Sequence, residues 1–435
     1  MSTKTSLAID QIPAAVESAV QRQPVTDMHT HVFAPAFGCS PDPQGLMLWG
    51  IDELVTYHYL IAEAYRVVGP DILPYDKFWS LPRAEQADHI WKCLFVDRTP
   101  ISEACRGVIT TLTALGLDPN EKSLEPYRRW FAQQDPDAYV DRVMELANVD
   151  RITMTNEVFA DHERSLWLRD PEAMRRDGRF RPVLRIDTLL LDWPRACRVL
   201  SQLGYEVGGE LNRATIDQAR QFLRDWIARM RPDYVAVSLP PDFHYPSDGP
   251  ASAAIPTPDA ILDQVVLPDL AEANLPLALM IGCRRAINPA LRDAGDGVGR
   301  MDVQAVCNLC VRNPGQRFLI TMLSRENQHE LCVAARKFAN LMVFGCWWFL
   351  NNPSLIEEIT RMRLEMLGTS FVPQHSDARI LDQLIYKWQH SRAIIARVLA
   401  DRYQDLARAG FAVTPAQIQR DVALLLRDNY RALLN

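Results

Sequence analysis

VTDMHTHVF, residues 25–33, is a short run with apolar or β-branched residues on both alternating faces, broken by one aspartate and two histidines. Such a run reads as a strand buried on both sides. His29 and His31 stand at i and i+2, so both imidazoles point to one face. Seven runs of the same kind follow: ITMTN (152–156), PVLRI (182–186), YVAVSL (234–239), LALMI (near 278–282), FLITML (318–323), LMVFGC (341–346) and SFVPQH (370–375). Most are separated by helix-length amphipathic segments such as 214–230 and 259–274. Buried strands alternating with helices make a parallel sheet, and eight of them predict an α/β fold of the (β/α)8 TIM type, with its chemistry at the C-terminal ends of the strands. The histidine face of the first strand is then the barrel lumen. A doubly wound open sheet is the runner-up, but the Gly-rich phosphate turns that usually mark it, GxGxxG or GxxxxGKS, do not occur.

About 118 residues lie between the first and second strands, far more than one crossover needs. Helical spacing in GLMLWGIDELVTYHYLIAEAYRVV, EQADHIWKCLF, ISEACRGVITTLTAL and DAYVDRVMELAN predicts an inserted helical cap over the barrel mouth. The division is 1–38 for the N-terminal segment and first strand, 39–148 for the cap, and 149–435 for the rest of the barrel. From Asp382 onward the pattern is helical and gives the final barrel helix plus an extension.

The chain has 435 residues, with 48% hydrophobic and 23% charged, ordinary globular usage that excludes disordered and fibrous classes. Its 47 basic against 54 acidic residues give a net charge of −7, and no basic run offers a face for phosphates, so nucleic acid is not an expected partner. No stretch is apolar enough for a membrane span, and the N-terminal segment carries Asp10, Gln11 and Glu17 where a signal peptide would be apolar. The nine cysteines are an odd number without a secretory context; Cys307 and Cys310 form the one CxxC, in an amphipathic helix pattern that favours core packing. The expectation is a cytoplasmic protein acting on a small molecule, with a homo-oligomer left open.

Two imidazoles aimed into one pocket suit a divalent transition metal, because neutral ring nitrogens fill two positions of a tetrahedron. Asp377 follows the eighth strand, which barrel closure makes the neighbour of the first, so its carboxylate completes a His29, His31, Asp377 set. The competing reading makes Ser376 and Asp377 a cap for the helix that follows. The metal reading gives one divalent ion per chain, zinc first and manganese second.

With these residues in place the sequence resembles the amidohydrolase superfamily and, within it, the uronate (glucuronate) isomerase family. The superfamily likeness lies in His29, His31 and Asp377. The family likeness lies in Asp377 with Arg379, in Tyr57-His58-Tyr59 against a His-Tyr motif, in Arg185 and Asp187 after the third strand, in the segments 281–288 and 345–352. The family's Ser-Asp-His-Gly after the fourth strand has no clean match, and Met280 stands where a histidine is expected. The resemblance implies a metal-dependent aldose–ketose isomerase acting on a hexuronate, of the D-glucuronate to D-fructuronate type, through an enediol. It implies Asp377 and Tyr59 as proton carriers with His58 orienting or relaying, or a metal-bound water as the shuttle. A planar guanidinium suits the substrate carboxylate, so Arg185, Arg379 and Arg285 are the expected contacts, with Trp347 and Trp348 as a wall or as aromatic core. The alternative within the same superfamily is a one-metal hydrolase or decarboxylase acting on a small carboxylate. For each arginine the competing reading is a structural ion pair.

Overall fold

The computed structural model describes residues 6–246 and 255–434. Its strands are β1 (Val25–Asp27), β2 (Val149–Thr153, continuing at Asn156–Glu157), β3 (Phe180–Arg181 and Leu184–Arg185), β4 (Val235–Leu239), β5 (Leu277–Ile281), β6 (Phe318–Met322) and β7 (Leu341–Val343). All neighbours pair in parallel, from Val25 opposite Val149 through Leu184 opposite Val235 to Phe318 opposite Leu341. The eighth position, 371–377, is a looser segment. It bridges β7 at Phe344 and Val372, and the Gly345 amide donates to the Val372 carbonyl at 2.9 Å. On its other side the Asp377 amide donates to the His29 carbonyl at 3.1 Å, and the His31 amide to the Ala378 carbonyl at 2.7 Å. These bonds close the ring, so the architecture is the (β/α)8 barrel expected from the eight buried runs.

The reason the runs read as apolar throughout is visible in the packing. Tyr234, Ala236, Ala278, Met280, Leu319 and Phe344 fill the lumen, while Val235, Val237, Leu277 and Phe318 face the surrounding helices. Every residue of β4, β5 and β6 is buried. The first strand is shorter than its sequence pattern. Its ladder ends at Asp27 because the next amides part company: Thr30 donates to Thr153 on one neighbour and His31 to Ala378 on the other.

The segment after β1 carries the helices Ile51–Val55, His58–Val68, Tyr75–Ser80, Arg83–Trp91, Glu103–Ala114 and Glu125–Phe131, and Pro136–Ala147 then leads into β2. Their apolar faces share one continuous core with the barrel helices. The long helix Gln383–Arg408 packs against Ile12–Arg22, Glu103–Ala114 and Pro136–Ala147. Asp382, just before it, accepts from Tyr139 Oη at 2.5 Å and from the Gly50 amide at 2.9 Å, which ties the helix to the start of the inserted segment. The cysteines are all unpaired, and Cys307 and Cys310 lie in the helix Gln304–Arg312 without forming a metal group. Among the described residues no helix is long and apolar enough to cross a membrane.

Candidate metal centre and active site

His29 and His31 leave the end of β1 on the same side, their rings 5.3 Å apart and nearly perpendicular. Both Nε2 atoms lie 3.5 Å from Asp377 Oδ1. Each of the three residues offers one ligand atom, and these atoms lie within 4.8 Å of one another. No other such group occurs among the described residues. His29 Nε2 is buried and has no hydrogen-bond partner. Its tautomer follows from the other nitrogen: Tyr234 Oη donates to the Met28 carbonyl at 2.6 Å and stands 3.5 Å from His29 Nδ1, where its oxygen accepts the ring N–H. The lone pair is therefore on Nε2, facing Asp377. Burial draws the His31 pKa down to about 3, so that ring is neutral as well. Burial alone would raise the Asp377 carboxyl, but the two imidazoles beside it, His29 and His31, hold it well below the usual carboxylate range. Two neutral nitrogens and one carboxylate, with an orphaned buried lone pair among them, fit a divalent transition ion.

The cap reading of Asp377 does not describe the structure. The helix begins at Gln383, and Asp377 turns its carboxylate to the histidines instead. Asp377 adopts φ +51°, a backbone region non-glycine residues seldom occupy, and the neighbouring contacts hold it there. The Ser376 amide donates to Asp27 Oδ1 at 3.1 Å, and the Ser376 carbonyl accepts from Lys387 Nζ at 2.6 Å and Asn351 Nδ2 at 3.0 Å. Asp27 is itself fixed by Trp388 Nε1 at 2.8 Å.

One cleft gathers His31, His58, Arg185, Arg285, Trp347, Asp377 and Arg379 from five different strand ends and the inserted segment. Arg185 is fully engaged on one edge, with Nε and Nη2 each 2.8 Å from the Asp187 carboxylate, and it presents its remaining edge to the cleft. Here the structural ion pair and the site coexist. Arg379 has only a loose contact, 3.6 Å to the exposed Asp293. Arg285 stands at the rim, 54% exposed, paired with Asp296 at 2.5 Å and lying over the Trp348 ring. His58 Nε2 accepts from Trp348 Nε1 at 3.0 Å, so its proton sits on Nδ1. Burial and the Arg379 charge push the His58 pKa well below the usual imidazole range. Tyr59 does not line the cleft. Its ring packs 4.6 Å from that of His58, and its hydroxyl is buried without a hydrogen-bond partner.

Trp348 lines the cleft beside Trp347; Ser238 and Met280 line it too, and neither of those two was singled out as a site residue from sequence. Ser238 and Met280 face each other in register at the C-terminal ends of β4 and β5, a position that only the lumen register reveals. Asp187 was visible as part of a motif but not as the partner that orients Arg185.

A scan against protein-family models gives no match, and no curated protein matches either. Among solved structures the chain is similar to a uronate isomerase from Bacillus halodurans C-125, with 49% identity over 98% of this chain and 97% of that one, at a TM-score of 0.92. A uronate isomerase from Thermotoga maritima matches with 16% identity over 98% and 97% of the two chains, at a TM-score of 0.72. A glucuronate isomerase from Caulobacter crescentus matches with 15% identity over 98% and 94%, at 0.76. At those identities the last two speak for the fold alone. The first, which shares 49% of its residues along nearly the full length of both chains, places the protein by descent: the chain belongs to the uronate isomerase family.

Proposed function

We propose that the protein interconverts an aldose and a ketose form of a hexuronate, of the D-glucuronate to D-fructuronate type, with one divalent ion held by His29, His31 and Asp377. Zinc is the proposed ion and manganese the alternative. The observation that carries the reading is the single cleft in which the His29, His31, Asp377 group meets three arginines. An isomerisation of this kind moves a proton between C2 and C1, and a carbon acid beside a carbonyl is too weak for an unaided base near neutral pH. A divalent ion held there supplies electrophilic polarisation of the substrate oxygens.

The chain's own groups do the rest. Arg379, with its loose partner, is free to take the substrate carboxylate in a bidentate grip; Arg185 and Arg285 add charge at the floor and rim. Asp377 is ionised; its carboxylate takes the carbon-bound proton from one carbon and returns it to the neighbouring carbon, so the group ends the cycle as it began. Burial and the neighbouring Tyr57 and Asp377 keep the Tyr59 phenol well above 10, so it stays protonated and, lying outside the cleft, backs His58 rather than donating to the substrate. His58 holds its Nδ1 proton and orients rather than abstracts. Trp347 and Trp348 exclude water at the wall. The test is incubation of metal-loaded protein with a panel of hexuronates, followed by NMR. The aldehyde-derived C1 signal should be replaced by ketose signals for at least one sugar. A panel left unchanged by metal-loaded protein would overturn the assignment.

A further inference from the structure

Joined to the Ser376-Asp377 segment is a chain of hydrogen bonds that the proposed reaction does not use. His390, on the helix Gln383–Arg408, is only 6% exposed. Its Nδ1 lies 2.7 Å from Glu103 Oε1, on the inserted helix Glu103–Ala114, and its Nε2 lies 3.3 Å from Asn351 Oδ1, in the loop after β7.

Neither neighbour can donate. Glu103 also takes both ends of the Arg106 fork, at 2.8 and 2.7 Å. Burial works against its charge, but hydrogen bonds from His390 and Arg106 bring its pKa down to about 2, and a carboxylate only accepts. Asn351 cannot be turned round, because its Nδ2 donates to the Ser376 carbonyl at 3.0 Å and its Oδ1 accepts from Gln374 Nε2 at 3.1 Å. Gln374 is fixed in turn, since its Oε1 accepts the main-chain amides of Cys346 at 2.7 Å and His375 at 3.1 Å. The His390 ring therefore stands between two acceptors, whereas a neutral imidazole has one N–H to give.

We propose that His390 is held as an imidazolium donating from both nitrogens, and that through Asn351 it is a positioning residue for the Ser376 carbonyl and hence for Asp377. The link to turnover rests on the isomerase reading above; the protonation does not. Burial is the largest influence on the ring and draws its pKa below the usual imidazole value, while the hydrogen bond and charge of Glu103 work toward the cation. The fixed Asn351 acceptor, which only a second N–H can satisfy, tips the balance to the cation. Arg106 on the inserted helix and Lys387 on the same helix as His390 oppose the cation, and the Tyr386 ring lies edge-on at 5.5 Å. When Nε2 loses its proton, two lone pairs face each other, and Asn351 must move off the Ser376 carbonyl. Lys387 alone then holds that carbonyl, and Asp377 loses its set position.

The test uses the full chain labelled with nitrogen-15 histidine, with the His390 signals assigned by their loss in His390→Asn. Both ring nitrogens of His390 should carry protons at pH 7 and titrate above neutrality. Glu103→Gln should lower that titration by at least about one pH unit. The same substitution should move the basic limb of kcat by a matching shift, with KM changed less than kcat. A singly protonated His390 at pH 7 in the unsubstituted protein would overturn the proposal, as would a Glu103→Gln protein with titration and kcat limb both unmoved. Should Glu103→Gln not fold, the spectrum of the unsubstituted protein decides. If no hexuronate is turned over but His390 is doubly protonated, the functional reading fails and the protonation stands.

Discussion

Removing His29 and His31 takes away both neutral nitrogen donors and leaves Asp377 as a single buried carboxylate. The double variant His29→Ala, His31→Ala is expected to lower bound divalent metal from about one ion per chain to background. Metal analysis after gel filtration checks this, and undiminished content would sink the ligand assignment. Tyr59→Phe makes a subtler change. Its hydroxyl has no partner in the structure, so its loss leaves no group unsatisfied and should cost little stability. Because that hydroxyl lies outside the cleft, kcat and KM should stay within about threefold, and a hundredfold fall in kcat at little change in KM would make Tyr59 a proton donor after all. An unchanged kcat with a raised KM would make Tyr59 a binding residue. At this scale the sequence was informative where spacing alone defines a shared face, as with His29 and His31. It was silent on His390 and Asn351, because their meaning comes from the fixed orientation of amides brought together from distant segments.

The eight strand positions were legible because burial on both faces leaves an apolar run that few other elements produce. The ends of those runs were not, since each end is decided by which neighbour takes the next amide. Gly345, just past β7, shows how tightly such an end is built. It has φ +63°, and a Cβ there would stand 1.7 Å from His375 Nδ1. His375 is fully buried with neither ring nitrogen partnered, and its ring lies 5.2 Å from that of His29. The Gly345 carbonyl is in turn held by the buried Arg363 at 2.7 Å. Neither side can give way without disturbing the histidine floor of the site. Gly345→Ala is therefore expected to cost about 3 kcal/mol or more, combining a disfavoured backbone region with an overpacked core. Urea unfolding measures it, and a loss under about 0.5 kcal/mol would mean that His375 moves aside freely.

A closed barrel separates its two ends, so stability and chemistry can be altered independently. The end opposite the cleft is closed by the C-terminal helix Asn429–Leu433, whose Tyr430 is 1% exposed and packs edge-on to Tyr234 in the lumen cluster. Its hydroxyl lies 3.2 Å from Thr153 Oγ1 and 3.3 Å from Asp233 Oδ2. Asp233 has a stronger partner in Arg181 at 2.7 Å, so losing the hydroxyl does not strand a charge. Tyr430→Phe should therefore cost only about 1 kcal/mol. Tyr430→Ala removes the ring that fills the lumen floor and should cost about 3–5 kcal/mol. None of the residues around Tyr430 reaches His29 Nε2, Asp377 or the arginines, although Tyr234 touches His29 at Nδ1. Below its lowered melting temperature the alanine variant should keep kcat and metal content within about twofold of the unsubstituted protein. A variant that stays folded but loses metal would show that the ring stack from Tyr430 through Tyr234 to His29 carries the position of the metal ligand across the full height of the barrel.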